Sequence, residues 1–233
     1  MDFSDILSQW YAINKRDLPW RSTVNPYYIW LSEIILQQTR VNQGLPYYLK
    51  FIDAFPAVAD LANADEDLVL KLWQGLGYYS RARNLQFSAK LILSEFGGNF
   101  PDNHADILKL KGVGSYTAAA ISSFSFGLPF AVLDGNVIRV LSRVFGIQTP
   151  FDTTAGKKQF QKLAQELLDK KNPAEYNQAI MEFGALQCVP KSPKCNDCPI
   201  VNDCIAFNTN TVSLLPVKSK KLKVKSRFLH FLV

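Results

Sequence analysis

The sequence predicts an all-α protein, and three observations carry that expectation. Apolar residues recur at three-to-four spacing in segment after segment. Between the segments lies Pro, Gly, Asn and Asp punctuation such as "VNPYY", "AFP", "GLGYYS" and "FGGNFPDN". Alternating strand-like runs are nearly absent until the final "RFLHFLV".

Taken in order, the pattern predicts helices around 2–13, 29–42, 44–54, 65–74, 80–96, 104–109, 115–126, 136–145, 155–170 and 173–187. No repeat at a solenoid period is visible. A basic linker is expected over 216–227, and 228–233 reads as the first strand of something further. The 233 residues are enough for one large domain or two intimate ones, with length to bury a core.

Composition narrows the class. Hydrophobic content of 48% and charged content of 20% describe a soluble globular chain. No apolar run approaches the ~18 residues of a membrane helix, and "MDFSDILSQW" lacks a basic leader and cleavage site. An intracellular, cytoplasmic protein without membrane contact is the expectation. The net charge of +6 is concentrated in one place: Lys218, Lys220, Lys221, Lys223, Lys225 and Arg227. The remaining 20 Lys and Arg balance 20 Asp and Glu, so bulk charge does not argue that the body binds nucleic acid. Local clusters have to carry that claim.

All four cysteines fall in "CVPKSPKCNDCPIVNDC", as Cys188, Cys195, Cys198 and Cys204 at Cys-x6-Cys-x2-Cys-x5-Cys spacing. Thiols this close, with prolines and polar residues between them, form a ligand cage rather than core packing. Disulfides are not expected in a reducing compartment. Four thiolates suit zinc or an iron–sulfur cluster. Zinc usually draws on two short Cys pairs, and here only Cys195 and Cys198 make one. The uneven spacing favours a [4Fe–4S] cluster, although spacing alone leaves zinc open. Lys191 and Lys194, in the first loop of the cage, could present charge to phosphate.

A second motif is "ADILKLKGVGSYTAAAI", which reads as helix, Gly-x-Gly turn, helix. Gly112 and Gly114 allow positive φ and close backbone approach, and the following helix start offers free N–H groups to an anion. Lys109 and Lys111 flank the turn. Such a helix-hairpin-helix is a sequence-independent grip on a DNA phosphate, though a bland helical connection could also hold two glycines. Tyr116 then falls in the first turn of the second helix. Further on, in "FGLPFAVLDGNVIRVLSR", Asp134 precedes a helix. Asp in that position is ordinarily an N-cap, and helix-start N–H groups are expected to lower its pKa. A carboxylate held charged is also what a developing oxocarbenium ion needs beside it.

In order, these motifs resemble the helix-hairpin-helix DNA glycosylase superfamily from about residue 2 to 207. The resemblance implies a two-lobed enzyme with DNA in the cleft and the target base flipped into it. Residues 1–215 would form the catalytic domain. One lobe would be a six-helix barrel over 22–132; the other would join 1–21 to 133–207 and hold the cluster. Tyr116 selects the branch. The endonuclease III branch has a lysine there, whose amine attacks the sugar and permits strand cleavage, and a phenol cannot form that Schiff base. With "LSEIILQQTRV" and "LDGNVIRVLSR", the chain is similar to MutY-type adenine glycosylases. Those remove adenine mispaired with 8-oxoguanine or guanine in double-stranded DNA.

The resemblance also implies roles. Glu33, on an apolar helical stripe with Ile29 and Leu36, would protonate adenine N7, provided burial raises its pKa. Asp134 would stabilise the oxocarbenium ion. Tyr116 would hydrogen-bond near Asp134 or the sugar, and Asn136 would orient the carboxylate. Gln38 and Tyr78 match residues that probe and wedge the duplex, while a Gly-bounded loop with a packed tyrosine, which could be Tyr79, would read the same way. Arg21 and Glu182 correspond to readers of the adenine edge. A monomer acting at the bacterial nucleoid is implied. Relatives continue into a Nudix-like β domain that recognises 8-oxoguanine, so this chain, ending at Val233, is expected to bind substrate more weakly and discriminate less. Two other readings remain: an endonuclease III-type glycosylase/lyase acting on oxidised pyrimidines, and a non-catalytic iron–sulfur DNA-binding module.

Overall fold

A computed structural model describes residues 2–219. The described residues are helical throughout, with no strand among them. The expected further strand at 228–233 and the linker beyond Ser219 lie outside the described residues.

The helices are α1 (Phe3–Asn14), α2 (Pro26–Leu36), α3 (Val41–Ala54), α4 (Val58–Asn63), α5 (Glu66–Trp73) and α6 (Ser80–Glu95). They continue as α7 (His104–Ile107), α8 (Ser115–Phe126), α9 (Gly135–Val144), α10 (Thr154–Leu167), α11 (Pro173–Leu186) and α12 (Ile205–Asn208). Side-chain caps start many of them, as expected where the first N–H groups lack partners. Asn25 Oδ1 accepts from Tyr27 N, with Pro26 as the first residue of α2. Asn103 caps α7, Asp134 caps α9 and Thr153 caps α10 in the same way.

Two differences from the expected segments matter for the site. The single helix expected over 29–42 is broken after Leu36, because Gln38 takes φ +57° and turns the chain before α3 begins at Val41. Its start also moves back to Pro26. Helices α4 and α12 were not expected; at six and four residues they are too short to show a period.

The core is organised around α2, where Trp30, Leu31 and Ile35 are wholly buried. Helix α8 packs on it, and its small residues Ala118, Ala119 and Ala120 are all buried in the core. This brings Glu33 on α2 towards Tyr116 on α8. Helix α11 packs against α1, α8 and α9. Its approach to α9 has a specific requirement: a Cβ at Gly184 would lie 2.7 Å from Asn136 Cβ and 2.9 Å from Asn136 O. Only glycine lets α11 lie this close to the first turn of α9, where Asp134 is capped. Arg139 closes the same seam, with Nη2 donating to Asn136 Oδ1 at 2.8 Å and Nε donating to Cys188 O at 2.7 Å.

Gly184→Ala is therefore expected to cost about 1–3 kcal/mol through overpacking. Thermal unfolding should show it as a drop of about 2–4 °C per kcal/mol for a chain of this size. An unchanged midpoint would mean the seam is loosely packed.

Candidate active site

Glu33, Tyr116, Asp134 and Asn136 come from three helices and line one cleft of about 500 Å³. Arg21, Gln38 and Glu182 line it too. That volume lies in the range of ligand-sized clefts. Dispersed positions 21, 33, 38, 116, 134, 136 and 182 of the sequence thus meet at one place.

The two central carboxyl groups are held differently. Packing around the Glu33 carboxyl removes most of its water and raises its pKa to about 7, although the residue keeps some exposure through the cleft. A hydrogen bond from Tyr116 opposes that rise, and the charge of Asp134 adds to it. Tyr116 lies in the cleft beside both carboxyl groups, close enough for the charges of Glu33 and Asp134 to act on its hydroxyl. That hydroxyl lies 4.0 Å from Met181 Sδ. Burial, with the charges of Glu33 and Asp134, holds the phenol well above its usual range, so it is neutral.

Asp134 departs from the sequence expectation. Its cap bond to Val137 N (2.7 Å) and the bond it accepts from Asn136 Nδ2 (2.7 Å) both favour the charged form. Burial nevertheless outweighs them, and the net shift is upward rather than downward. Capping was legible in the sequence; the depth of the cap was not. Both carboxyl groups are thus raised, Glu33 to about 7.

Glu182 is almost fully buried, 1% exposed, on α11. Burial pushes its pKa up, but hydrogen bonds from Arg21 and Arg16 reverse this and bring it down to about 2. Arg21 donates through Nη1 (2.8 Å) and Nη2 (2.7 Å) to its two oxygens, and Arg16 donates through Nε, Nη2 and backbone N. Both carboxylate oxygens are thus committed to arginines. Sequence reasoning missed Arg16 and Gln178; the latter accepts from Arg21 Nε at 3.1 Å and lines the cleft. A basic residue in the loop after α1 and an amide on α11 give no signal until Glu182 is seen to be buried.

Gln38 sits at φ +57° and Tyr78 at φ +46°, in the left-handed region that bulky residues rarely occupy. Tyr78 is 68% exposed and Tyr79 is exposed as well, so the alternative of a packed Tyr79 does not hold. In the hairpin, Gly112 takes φ +82° whereas Gly114 is extended, a conformation open to any residue. Gly114 is the residue from which α8 starts. Lys109 is paired with Asp106 at 2.6 Å, and Lys111 Nζ lies 3.9 Å from the centre of the Phe87 ring. Lys191 and Lys194 are exposed. The four cysteines line a separate cavity with Arg143, whose Nη1 lies 3.4 Å from Cys188 Sγ.

Residues 31–170 match the family model described as HhH-GPD superfamily base excision DNA repair protein. The chain is 41% identical over 230 residues to the adenine DNA glycosylase of Buchnera aphidicola (subspecies Schizaphis graminum), covering 97% of this chain and 66% of that relative. It is 43% identical over 213 residues to the adenine DNA glycosylase of Homo sapiens, covering 88% of this chain and 39% of that one. Among solved structures, a thermostable thymine-DNA glycosylase superposes with a TM-score of 0.82 at 30% identity, over 89% of this chain and 95% of that one. With the family model spanning more than half of its length, the chain belongs to the HhH-GPD superfamily of base excision DNA repair proteins.

Proposed function

We propose that this chain is the catalytic part of a monofunctional DNA glycosylase that hydrolyses the N-glycosidic bond of adenine mispaired with 8-oxoguanine or guanine. The observation that carries this reading is the pair of carboxyl groups, Glu33 and Asp134, lining one cleft, with Asp134 held by Asn136 and the α9 start and Glu33 raised to about 7 by burial. The relatives named adenine DNA glycosylase support the choice of base. The lobes proposed are 22–132 and 1–21 with 133–207, the cleft lying between them.

Two carboxyl groups with separated pKa values are the usual equipment for cleaving a glycosidic bond. Glu33, near half-protonated at neutral pH, donates its proton to adenine N7. The C1′–N9 bond then breaks with its electron pair leaving on the base. Asp134, held by Asn136 and the α9 start, offers its carboxylate to the positive charge left on the sugar. Water adds to C1′ and gives up a proton, restoring the acid. Tyr116 supplies no amine, so no Schiff base forms and the strand stays intact. The hairpin from Gly112 to Gly114, with the α8 start, grips a phosphate of double-stranded DNA, and the exposed Lys191 and Lys194 add positive charge for the backbone. Gln38 and Tyr78 enter the duplex. Arg21 and Glu182, with Arg16 and Gln178, shape the wall that meets the base.

The cysteine cavity fits a [4Fe–4S] cluster by its donor set. Cys188, Cys195, Cys198 and Cys204 line one cavity, and burial pushes the Cys198 thiol up to about 11, so a bound cation is what would hold it as a thiolate. The four thiols line this cavity together, a donor set that suits zinc or an iron–sulfur cluster, and their uneven spacing in the chain favours the cluster. When bound, the cluster would pin the loop from Cys188 to Cys204 under Arg139 and Arg143.

Glu33 gives the pH prediction. Its folded pKa of about 7 is above its unfolded value of 4.5, so ionising it in the fold is unfavourable. The resulting destabilisation is absent below the unfolded pKa, grows between the two values and is complete above pH ~7. Glu33→Gln should be more stable than the parent at pH 8 by on the order of 2 kcal/mol, with no gain at pH 4. It should also slow single-turnover adenine release by about 10²–10⁴, and the parent rate should fall as pH rises through ~7. Full activity in Glu33→Gln would exclude it as the acid.

Tyr116→Lys is expected to yield strand nicking without alkali and a borohydride-trapped protein–DNA adduct, both absent from the parent. Efficient nicking by the parent would instead support the lyase reading. Elemental analysis of the purified protein should find roughly four iron atoms per chain, and one zinc atom would overturn the cluster.

A further inference from the structure

Arg81 occupies a place that the proposed chemistry does not use. It lies at the start of α6, and its guanidinium is surrounded by backbone carbonyls from two loops. Nη1 donates to Ile34 O (3.1 Å), Ile35 O (3.0 Å) and Gln37 O (2.6 Å), and lies 3.4 Å from Thr39 Oγ1. Nη2 donates to Leu76 O (3.1 Å) and Gly77 O (3.4 Å). The first group closes the end of α2 and the turn through Gln38. The second closes the loop that carries Tyr78.

The same guanidinium lies between two rings, 5.0 Å from the centre of Trp73 and 5.9 Å from that of Tyr78. Trp73 is wholly buried and Tyr78 is largely exposed, so Arg81 links the core to the tip of the loop. Each loop carries a residue in the left-handed region, Gln38 and Tyr78. Such conformations persist only where surrounding bonds hold them, and here one side chain holds both. Gln37 extends the linkage, because its Nε2 donates to Gly112 O in the hairpin turn at 3.2 Å.

We propose that Arg81 is a positioning residue that ties the Gln38 loop and the Tyr78 loop into one rigid unit, so that both enter the duplex together when the base is extruded. This rests on the glycosylase reading above. Arg81 touches no substrate in this scheme; it acts through Gln38 and Tyr78. The role needs arginine rather than any cation. A planar fork reaches the carbonyls of two loops at once and stacks between rings, whereas a lysine ammonium is a single point with three donors. A random surface arginine would bond one neighbour and leave the loops independent.

The test separates base extrusion from bond cleavage. Arg81→Lys and Arg81→Ala are compared with the parent on a duplex with adenine opposite 8-oxoguanine, and on one whose adenine is already unstacked by mismatched neighbours. Single-turnover release and 2-aminopurine fluorescence, which reports unstacking without cleavage, are read on both. Arg81→Lys should slow unstacking and release about tenfold on the paired duplex and much less on the unstacked one. The pH midpoint set by Glu33 should not move. Equal losses on both duplexes, a shifted midpoint, or parent-like unstacking in Arg81→Lys would overturn the proposal. If the parent releases no adenine at all, the glycosylase reading fails, and unstacking by parent and variant still decides the role of Arg81. Where Arg81→Ala does not fold, Arg81→Lys carries the comparison.

Discussion

The rest of the site depends on one electrostatic constraint: two carboxyl groups, Glu33 and Asp134, share a cleft from which protein packing has removed much of the water. Both charges are penalised there, and whichever group has better hydrogen bonds keeps its charge more cheaply. Asp134 has the α9 start and Asn136; Glu33 has Tyr116 alone, a neutral phenol. The division of protonation follows from that inequality. Tyr116 is part of it, since a lysine in its place would bring a positive charge beside Glu33 and favour the ionised form.

Helix packing supplies the inequality. Helices α2 and α8 pack against each other, which brings Glu33 and Tyr116 to one cleft. Helices α9 and α11 come together at Gly184, which holds the Asp134 cap against a wall of protein. A third carboxylate, Glu182, lies in the same wall but is treated oppositely. Two arginines surround it and pull its pKa to about 2, so it remains a fixed negative charge across the working pH range. Removing either arginine would leave a buried charge partly uncompensated, the costly case for such a pair.

Arginines recur as fasteners in this chain. Arg81 gathers loop carbonyls on one side, Arg139 joins Asn136 to Cys188, and Arg143 reaches Val189 O and Pro190 O beside the cysteine cavity. Loops leave carbonyl groups unpaired, and a guanidinium satisfies several at once from a fixed plane. This explains why the longest irregular segments of the fold are nonetheless held in place.

The helical class, most element positions, the clustering of the four cysteines and the hairpin were legible in the sequence, because each is a local pattern of period, spacing or punctuation. Residues with two local meanings were not. "LSEIILQQT" reads as one continuous helix, and only the turn at Gln38 ends it. Asp134 reads as an exposed cap that lowers its own pKa, and only its burial reverses the sign. Arg16, Gln178 and Arg81 carry no motif at all, since their partners lie 166, 157 and 44 residues away or are backbone carbonyls. By itself the sequence determined which chemical groups are present and which helices carry them. The tertiary structure decided which of those groups are stripped of water and which are matched by a partner. Desolvation and pairing are sums over neighbours distant in the chain, and a local pattern does not contain them.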